Sequence, residues 1–355
     1  METNQDTPLS DRERTVLKCV IQDFIETATP VGSRFISKRH VRELGLSSAS
    51  IRNVLADLEQ QGYINHPHTS AGRVPTDLGY RFYLDWLMRK SDLSAAEQQT
   101  IRDNLHSAEE MEQMLRESSR LLARISQQLS IVTAPELSSG VFERLELVPI
   151  SSTRILVILS ITSGLVRTIM MEVAAEPARG TLEDIARFLN ERLSGLTLQQ
   201  IRDSLPERVR DAQVDDRGLL RLFIDSVDKF FASPREERVH ISGAEGLLQQ
   251  PEFVHPKEFR GVIELISNEE FIVHVLRKHD PRGENITVTV GREHDDKKLE
   301  PYSVITATYT IGDVSGSIGV LGPKRMPYDR MIPLVDYVAR TVSQMFNQTQ
   351  RTLNA

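Results

Sequence analysis

The chain has 355 residues, 39% of them hydrophobic, and a formal net charge of −7, as expected of a globular protein of two or three domains. No apolar run approaches the length of a membrane span and the N-terminus carries no basic-then-apolar signal, so a cytoplasmic protein is expected. Cys19 is the one cysteine; this excludes an intrachain disulfide and a thiolate cluster, and leaves Cys19 as a small residue near the core face of a helix.

Ser10-Asp-Arg-Glu13 has the spacing of a capping box. Val16, Leu17, Val20, Ile21, Phe24 and Ile25 follow at helical spacing to about Thr27. A short basic helix is expected over Arg34–Leu44, after Pro30-Val-Gly-Ser33, and Gly45 makes a turn into a second short helix. Ser47 can cap that helix, with Ser50 three residues on, and Gly62 ends it. At 100° per residue, Ile51, Val54, Leu55 and Leu58 share one face. Ala49, Asn53, Ala56 and Gln60 share the other, flanked by Ser48, Ser50 and Arg52. Small residues let a backbone approach, and an amide and a guanidinium read base edges. A polar hairpin follows, holding His66, His68, Thr69, Ser70 and, in its return arm, Arg73. Two short helices joined at a glycine and followed by such a hairpin make a winged helix-turn-helix.

Charge supports that reading locally. Residues 31–90 carry nine Lys/Arg against five Asp/Glu, and the chain from 91 onward carries 31 against 39. A basic head on an acidic body suits a protein that binds phosphate at one end. Pro75 is expected at the start of a fourth helix. That helix holds the single tryptophan, Trp86, beside Tyr83, an aromatic cluster suited to packing on the wing or on a second subunit.

Residues 91–107 read as a linker with a short possible helix. A long helix is expected from Ala108 to about Ser130, with Met111, Met114, Leu115, Leu121, Leu122, Ile125 and Leu129 as its apolar stripe. Strands follow over Val141–Ile150, Arg154–Ile161 and Leu165–Val173, with Ser163-Gly164 turning between the last two. A helix is expected over Leu182–Leu193. Residues 197–256 break the pattern with charged runs, a short apolar helix (Leu219–Phe231) and Ser233-Pro234, and read as an insertion. Helical segments Phe259–Ile266 and Phe271–Leu276 come next. Strands Ile286–Val290 and Tyr302–Thr310 flank an exposed charged loop, Arg292–Glu300. Strand Val314–Leu321 and a terminal helix, Tyr328–Phe346, complete a multidomain α+β chain.

Enzyme motifs are missing: there is no Gly-x-Ser-x-Gly, no Walker loop and no His-Glu-x-x-His. An enzyme is therefore not expected, nor a cofactor or metal. His294-Asp-Asp296 reads as a solvated loop. His66 and His68 lack a nearby ligand partner and suit phosphate better than a metal. Gly316-Ser-Ile-Gly319 reads as glycine in a strand.

Three strings, in this order along the chain, resemble the bacterial heat-inducible transcription repressor family HrcA. They are Ser47-Ser-Ala-Ser-Ile-Arg-Asn53; His68-Thr-Ser-Ala-Gly-Arg-Val-Pro-Thr76 with Gly79-Tyr-Arg-Phe-Tyr83; and Gly319-Val-Leu-Gly-Pro-Lys-Arg-Met326 with Tyr328. The resemblance covers essentially the whole chain. It implies a winged-helix head (1–90), a linker (91–107), a GAF-like domain (108–196 and 257–355) and a dimerisation domain inserted at 197–256. It also implies a homodimer on an inverted-repeat, CIRCE-type operator of double-stranded DNA upstream of chaperone operons, kept active by a GroEL-type chaperonin. The expected DNA contacts are Ser37, Lys38 and Arg39 on phosphates; Ala49 and Asn53 on base edges, flanked by Ser48 and Ser50, with Arg52 on a base or a phosphate; and His68, Thr69, Ser70 and Arg73 on the backbone or minor groove. GAF-like domains often hold small molecules, so a ligand-gated repressor is the alternative.

Overall fold

The computed structural model describes residues 9–67, 72–106, 108, 110–173, 179–210, 221, 223, 225, 239–254, 256–276 and 285–353. The expected helix Leu219–Phe231 and the Ser233-Pro234 break lie, apart from three isolated residues, outside that set.

Helix α1 is Asp11–Thr27, and its capping box forms: the Ser10 hydroxyl accepts from the Glu13 N–H while the Glu13 carboxylate accepts from the Ser10 N–H. Arg34–Leu44 is two helices, not one. Helix α2 (Ser33–Arg39) ends at His40, whose backbone leaves the helical region, and α3 (Val41–Leu44) restarts there. Gly45, at φ +57°, turns the chain into α4 (Ser48–Gln60). Ser47 caps α4 through the Ser50 N–H, and the buried face is Ile51, Val54, Leu55 and Leu58, as the periodicity predicts. Strands β1 (Ile64–Asn65) and β2 (Val74–Pro75) form a small antiparallel ribbon, which an isolated bridge between Val31 and Arg73 extends. Gly72 must be glycine here, because a Cβ would lie 2.5 Å from the Val31 carbonyl carbon.

Pro75 does not open a helix. It ends β2, paired with Ile64, and the Thr76 side chain caps α5 (Asp77–Phe82) instead. A π-helical turn, Tyr83–Leu87, follows. Trp86 stacks on Phe82 and remains half exposed. The stretch expected to be a linker holds α6 (Ala95–His106). Its Ile101 and Leu105 are fully buried, so it packs as core. Helix α7 is Met111–Ser126. Gln127, at φ +54°, stops it short of the expected Ser130, and Leu129 belongs to strand β3 (Leu129–Thr133).

Strands β4 (Phe142–Ser151), β5 (Arg154–Ile161) and β6 (Val166–Glu172) form a three-stranded antiparallel sheet. Helix α8 (Arg179–Leu193) packs on it: the Asn190 side chain accepts from the Leu145 N–H at 2.7 Å and donates to the Leu145 carbonyl at 2.9 Å. Helix α9 (Leu198–Arg208) follows a bridge between Thr197 and Val141. The chain then returns as β7 (Val239–Ser242), α10 (Ala244–Leu248), α11 (Pro256–Ile266) and α12 (Glu269–Leu276). Strands β8 (Ile286–Val290), β9 (Tyr302–Ile311) and β10 (Val314–Pro323) and the terminal helix α13 (Tyr328–Leu353) complete the fold.

A five-stranded antiparallel sheet, in the order β7-β3-β10-β9-β8, forms the centre. Helices α7 and α13 cover one face; α10, α11 and α12 cover the other. The expected separate unit at 197–256 is split by this topology. Thr197 and α9 adjoin the three-stranded sheet, whereas β7 pairs with β3 in the central sheet, Ile131 opposite Ile241. The segment looped out of the central sheet runs from the end of β3 to the start of β7. The charged loop Arg292–Glu300 is two short turns whose Gly291 and Leu299 are buried, not a free solvated loop.

Candidate nucleic-acid interface

The apolar face of α4 packs on α1 and α2, which forces Ala49, Arg52 and Asn53 to the outside. Among the described residues no hydrogen bond or ion pair engages the Arg52 or Asn53 side chain, so both are open to a ligand. Lys38 of α2 is exposed as well. Ser48 and Ser50 are half-buried and serve the helix itself. The Ser48 hydroxyl meets that of Ser33 at 3.1 Å, joining α4 to α2, and Ser50 meets the cap Ser47. Ser37 spends its proton on the Arg34 carbonyl at 3.1 Å.

Two of the expected cations pair with carboxylates of their own chain. Arg39 pairs with Glu26 and, at 3.2 Å, with the buried Asp23 of α1; Glu26 above all, and then Asp23, push its guanidinium up from the ordinary value. Arg73 pairs with Glu59 of α4 at 2.9 Å and meets His66, which itself pairs with Glu59. Each guanidinium would have to give up or share these carboxylates to reach a phosphate. His66, likewise, faces Glu59. His68, Thr69 and Ser70 lie outside the described residues.

The head sits on the body through a set of polar contacts that the sequence reading did not foresee. Arg81 donates to Glu293 through two nitrogens and to the Val288 carbonyl at 2.7 Å. The carboxylate of Glu293 raises the Arg81 guanidinium further. Asp77 accepts from Lys324 at 2.6 Å and from the Arg292 N–H at 3.0 Å. Arg325 reaches the Ile25 carbonyl of α1 at 3.2 Å and pairs with Glu252. Tyr80 and Tyr328 lie with ring centroids 6.2 Å apart, both buried, and burial raises both phenols. The strings Gly79–Tyr83 and Gly319–Met326 with Tyr328 therefore meet at one junction, although 248 positions separate Tyr80 from Tyr328. Their joint appearance among the three motifs was the available signal. A cleft of about 880 Å³ opens beside the junction, between Asn65, Asp77 and Leu78 on the head and Glu252, Arg292 and Lys324 on the body. A smaller apolar hollow, about 220 Å³, lies between α7 and the three-stranded sheet, lined by Leu115, Leu137, Ile161 and Leu198.

No helix among the described residues is long and apolar enough to cross a membrane. Comparison with known proteins adds the following. A family model described as the HrcA protein C-terminal domain matches residues 112–332. A heat-inducible transcription repressor HrcA of Chlorobium phaeobacteroides (strain BS1) is 44% identical over 346 residues, spanning 94% of this chain and 97% of that protein. Another, of Prosthecochloris aestuarii (strain DSM 271 / SK 413), is 43% identical over 353 residues, spanning 96% and 98%. A crystal structure of a hypothetical protein at 2.2 Å resolution is similar over 96% of this chain and 99% of that one, with a TM-score of 0.59 and 28% identity.

Proposed function

The chain belongs to the HrcA family of heat-inducible transcription repressors, and from that premise we propose that it is a dimeric DNA-binding repressor of heat-shock chaperone operons. The observation that carries this is the bare outer face of α4. Ala49, Arg52 and Asn53 are exposed there, as is Lys38 on α2, while the cations Arg39 and Arg73 pair with carboxylates of their own chain. Helices α2, α3 and α4 act as a helix-turn-helix, and the β1–β2 ribbon as its wing. Helix α4 enters the major groove. Asn53 and Arg52 read base edges, and Ala49 allows the close approach. Lys38 holds phosphate; the ribbon tip, His68-Thr-Ser70, lies along the backbone or minor groove. Arg39 and Arg73 shape the reading surface by fixing α2 and the ribbon, and are not themselves assigned to phosphate.

The operator is an inverted repeat of CIRCE type, which two symmetric heads read together. The central sheet and its helices form the GAF-like domain. The segment between β3 and β7 forms the inserted dimerising unit, with its three-stranded sheet facing a second copy. On the face away from α8, Val148, Leu156 and Met170 stand in one cross-strand row. Ile150, Val166 and Met170 are each at least half exposed. An apolar sheet face of this kind is what a second copy would cover.

A GroEL-type chaperonin keeps the repressor active by refolding its body. Heat unfolds the body, misfolded proteins occupy the chaperonin, and chaperone genes are released. The apolar strands β4, β5 and β6 are aggregation hazards once unpaired. The testing experiment is an operator titration by wild-type and Arg52→Ala protein, before heating, after heating, and after chaperonin with ATP. Wild-type binding lost on heating and restored by chaperonin, with Arg52→Ala weak throughout, supports the reading. In the ligand-gated alternative the apolar hollow beside Leu115 holds the effector. Loss of binding on dialysis alone, restored by a metabolite and indifferent to chaperonin, would establish that alternative.

A further inference from the structure

Helices α1 and α3 bring three metal-ligating side chains together behind the reading helix. Cys19 lies on α1; His40 and Glu43 lie one turn apart at α3. The Cys19 sulfur, an imidazole nitrogen of His40 and a Glu43 carboxylate oxygen all lie within 4.8 Å of one another. His40 Nδ1 is 3.7 Å from Glu43 Oε2.

The surroundings orient these atoms. His40 Nε2 lies 3.1 Å from both oxygens of Asp23, a carboxylate that is 1% exposed and one helical turn from Cys19. Nε2 is therefore the nitrogen engaged with Asp23, and Nδ1 is the one turned toward Glu43. A carboxylate behind a ligating histidine is the arrangement that fixes the tautomer and raises the basicity of the ligand. Lys18 holds the other Glu43 oxygen, Oε1, at 3.4 Å, so Oε2 stays turned toward the imidazole. Arg39 balances the charge of Asp23 from outside.

We propose that Cys19, His40 and Glu43 bind one divalent zinc-type ion, with Asp23 as the orienting carboxylate on His40. One thiolate, one imidazole and one carboxylate are a borderline-soft donor set, which favours Zn²⁺ or Co²⁺ over Mg²⁺ and Ca²⁺. Zinc–ligand distances of about 2.0–2.3 Å require these side chains to draw in slightly. The metal displaces the thiol proton, which passes to solvent, and water completes the tetrahedron on the exposed side of Glu43. The bound ion ties α1 to α3 and so braces the helices that carry α4.

The test is Co²⁺ titration of the full-length protein, followed by near-ultraviolet thiolate-to-cobalt absorption. Because Cys19 is the only cysteine, such a band has one possible source. The expected result is one Co²⁺ per chain with that band, displaced by Zn²⁺, and a higher melting temperature with Zn²⁺. Cys19→Ser abolishes the band. Asp23→Asn keeps the band and weakens Co²⁺ affinity about 10–100-fold. Wild-type protein whose bound cobalt gives no thiolate band overturns the proposal, whatever the variants do. Unchanged Zn²⁺ affinity in a folded Cys19→Ser protein overturns it too.

Discussion

The two large sheets solve burial differently. In the central sheet, β9 and β10 are buried along almost their whole length, because helices cover both faces. In the three-stranded sheet, β5 alternates: Ile155, Val157, Leu159 and Ile161 are buried under α8, while Leu156 and Ile158 are only half-buried. A sheet covered on both faces needs nothing further. A sheet with apolar residues on its uncovered side is complete only against another surface. The first is closed within one chain, and the second carries the face on which the proposed dimer would assemble.

Truncating the central core should have the largest effect on the isolated chain. Ile305→Ala, at a fully buried position in β9, should cost about 2–5 kcal/mol in denaturant unfolding. Met170→Ala, on the outer face of β6, should cost less than about 0.5 kcal/mol in the monomer while weakening self-association in sedimentation experiments. Equal stability losses at the two positions would erase the contrast between the sheets.

The same contrast governs what can be read from sequence. Strand β5 alternates, and its bounds, Arg154–Ile161, are legible directly. Strand β3 is buried at every residue and so lacks a period; its Leu129 continues the apolar stripe of α7, and only the left-handed turn at Gln127 separates the two. Strand β7 is four residues long and pairs with β3 from more than 100 residues away, so nothing local places it in the central sheet. Limits set from charge and composition alone therefore miss that pairing. The α4 face was legible because amphipathicity is local. Arg39 and Lys38 are adjacent and chemically alike in sequence; only the position of Asp23 and Glu26 on α1 gives one a carboxylate partner and the other none among the described residues.

Asn53→Ala should weaken operator binding by about 1–3 kcal/mol and relax specificity at one base pair per half-site, with the melting temperature unchanged. An equal loss on random DNA would mean that Asn53 does not read sequence. Arg81→Ala removes two hydrogen bonds to Glu293 and one to Val288, and should lower stability by about 1–3 kcal/mol. It should also loosen the head, seen as faster amide exchange at α5 than at β10.

A smaller effect is expected with pH in the central sheet. Burial, and after it the nearby Arg116, lowers the pKa of His240 in β7 below its ordinary 6.5, with Glu112 opposing. The folded chain therefore keeps this ring neutral where the unfolded chain protonates it. The stability linked to His240 is whole above pH 6.5 and is lost as pH falls below it. Unfolding curves from pH 8 to 5 should fall less steeply for His240→Gln than for wild type; parallel slopes would remove His240 from the linkage.

The most direct test of the proposed assembly compares wild-type protein with a Leu156→Asp/Met170→Asp variant. Molar mass in solution and affinity for the full inverted repeat and for a single half-site are measured together. The expected variant is a monomer with wild-type half-site affinity, and it loses the 10²–10⁴-fold gain, in order of magnitude, that linked heads give on the full repeat. A variant that stays dimeric and binds the full repeat as tightly as wild type would show that the outer face of the three-stranded sheet does not join the two heads.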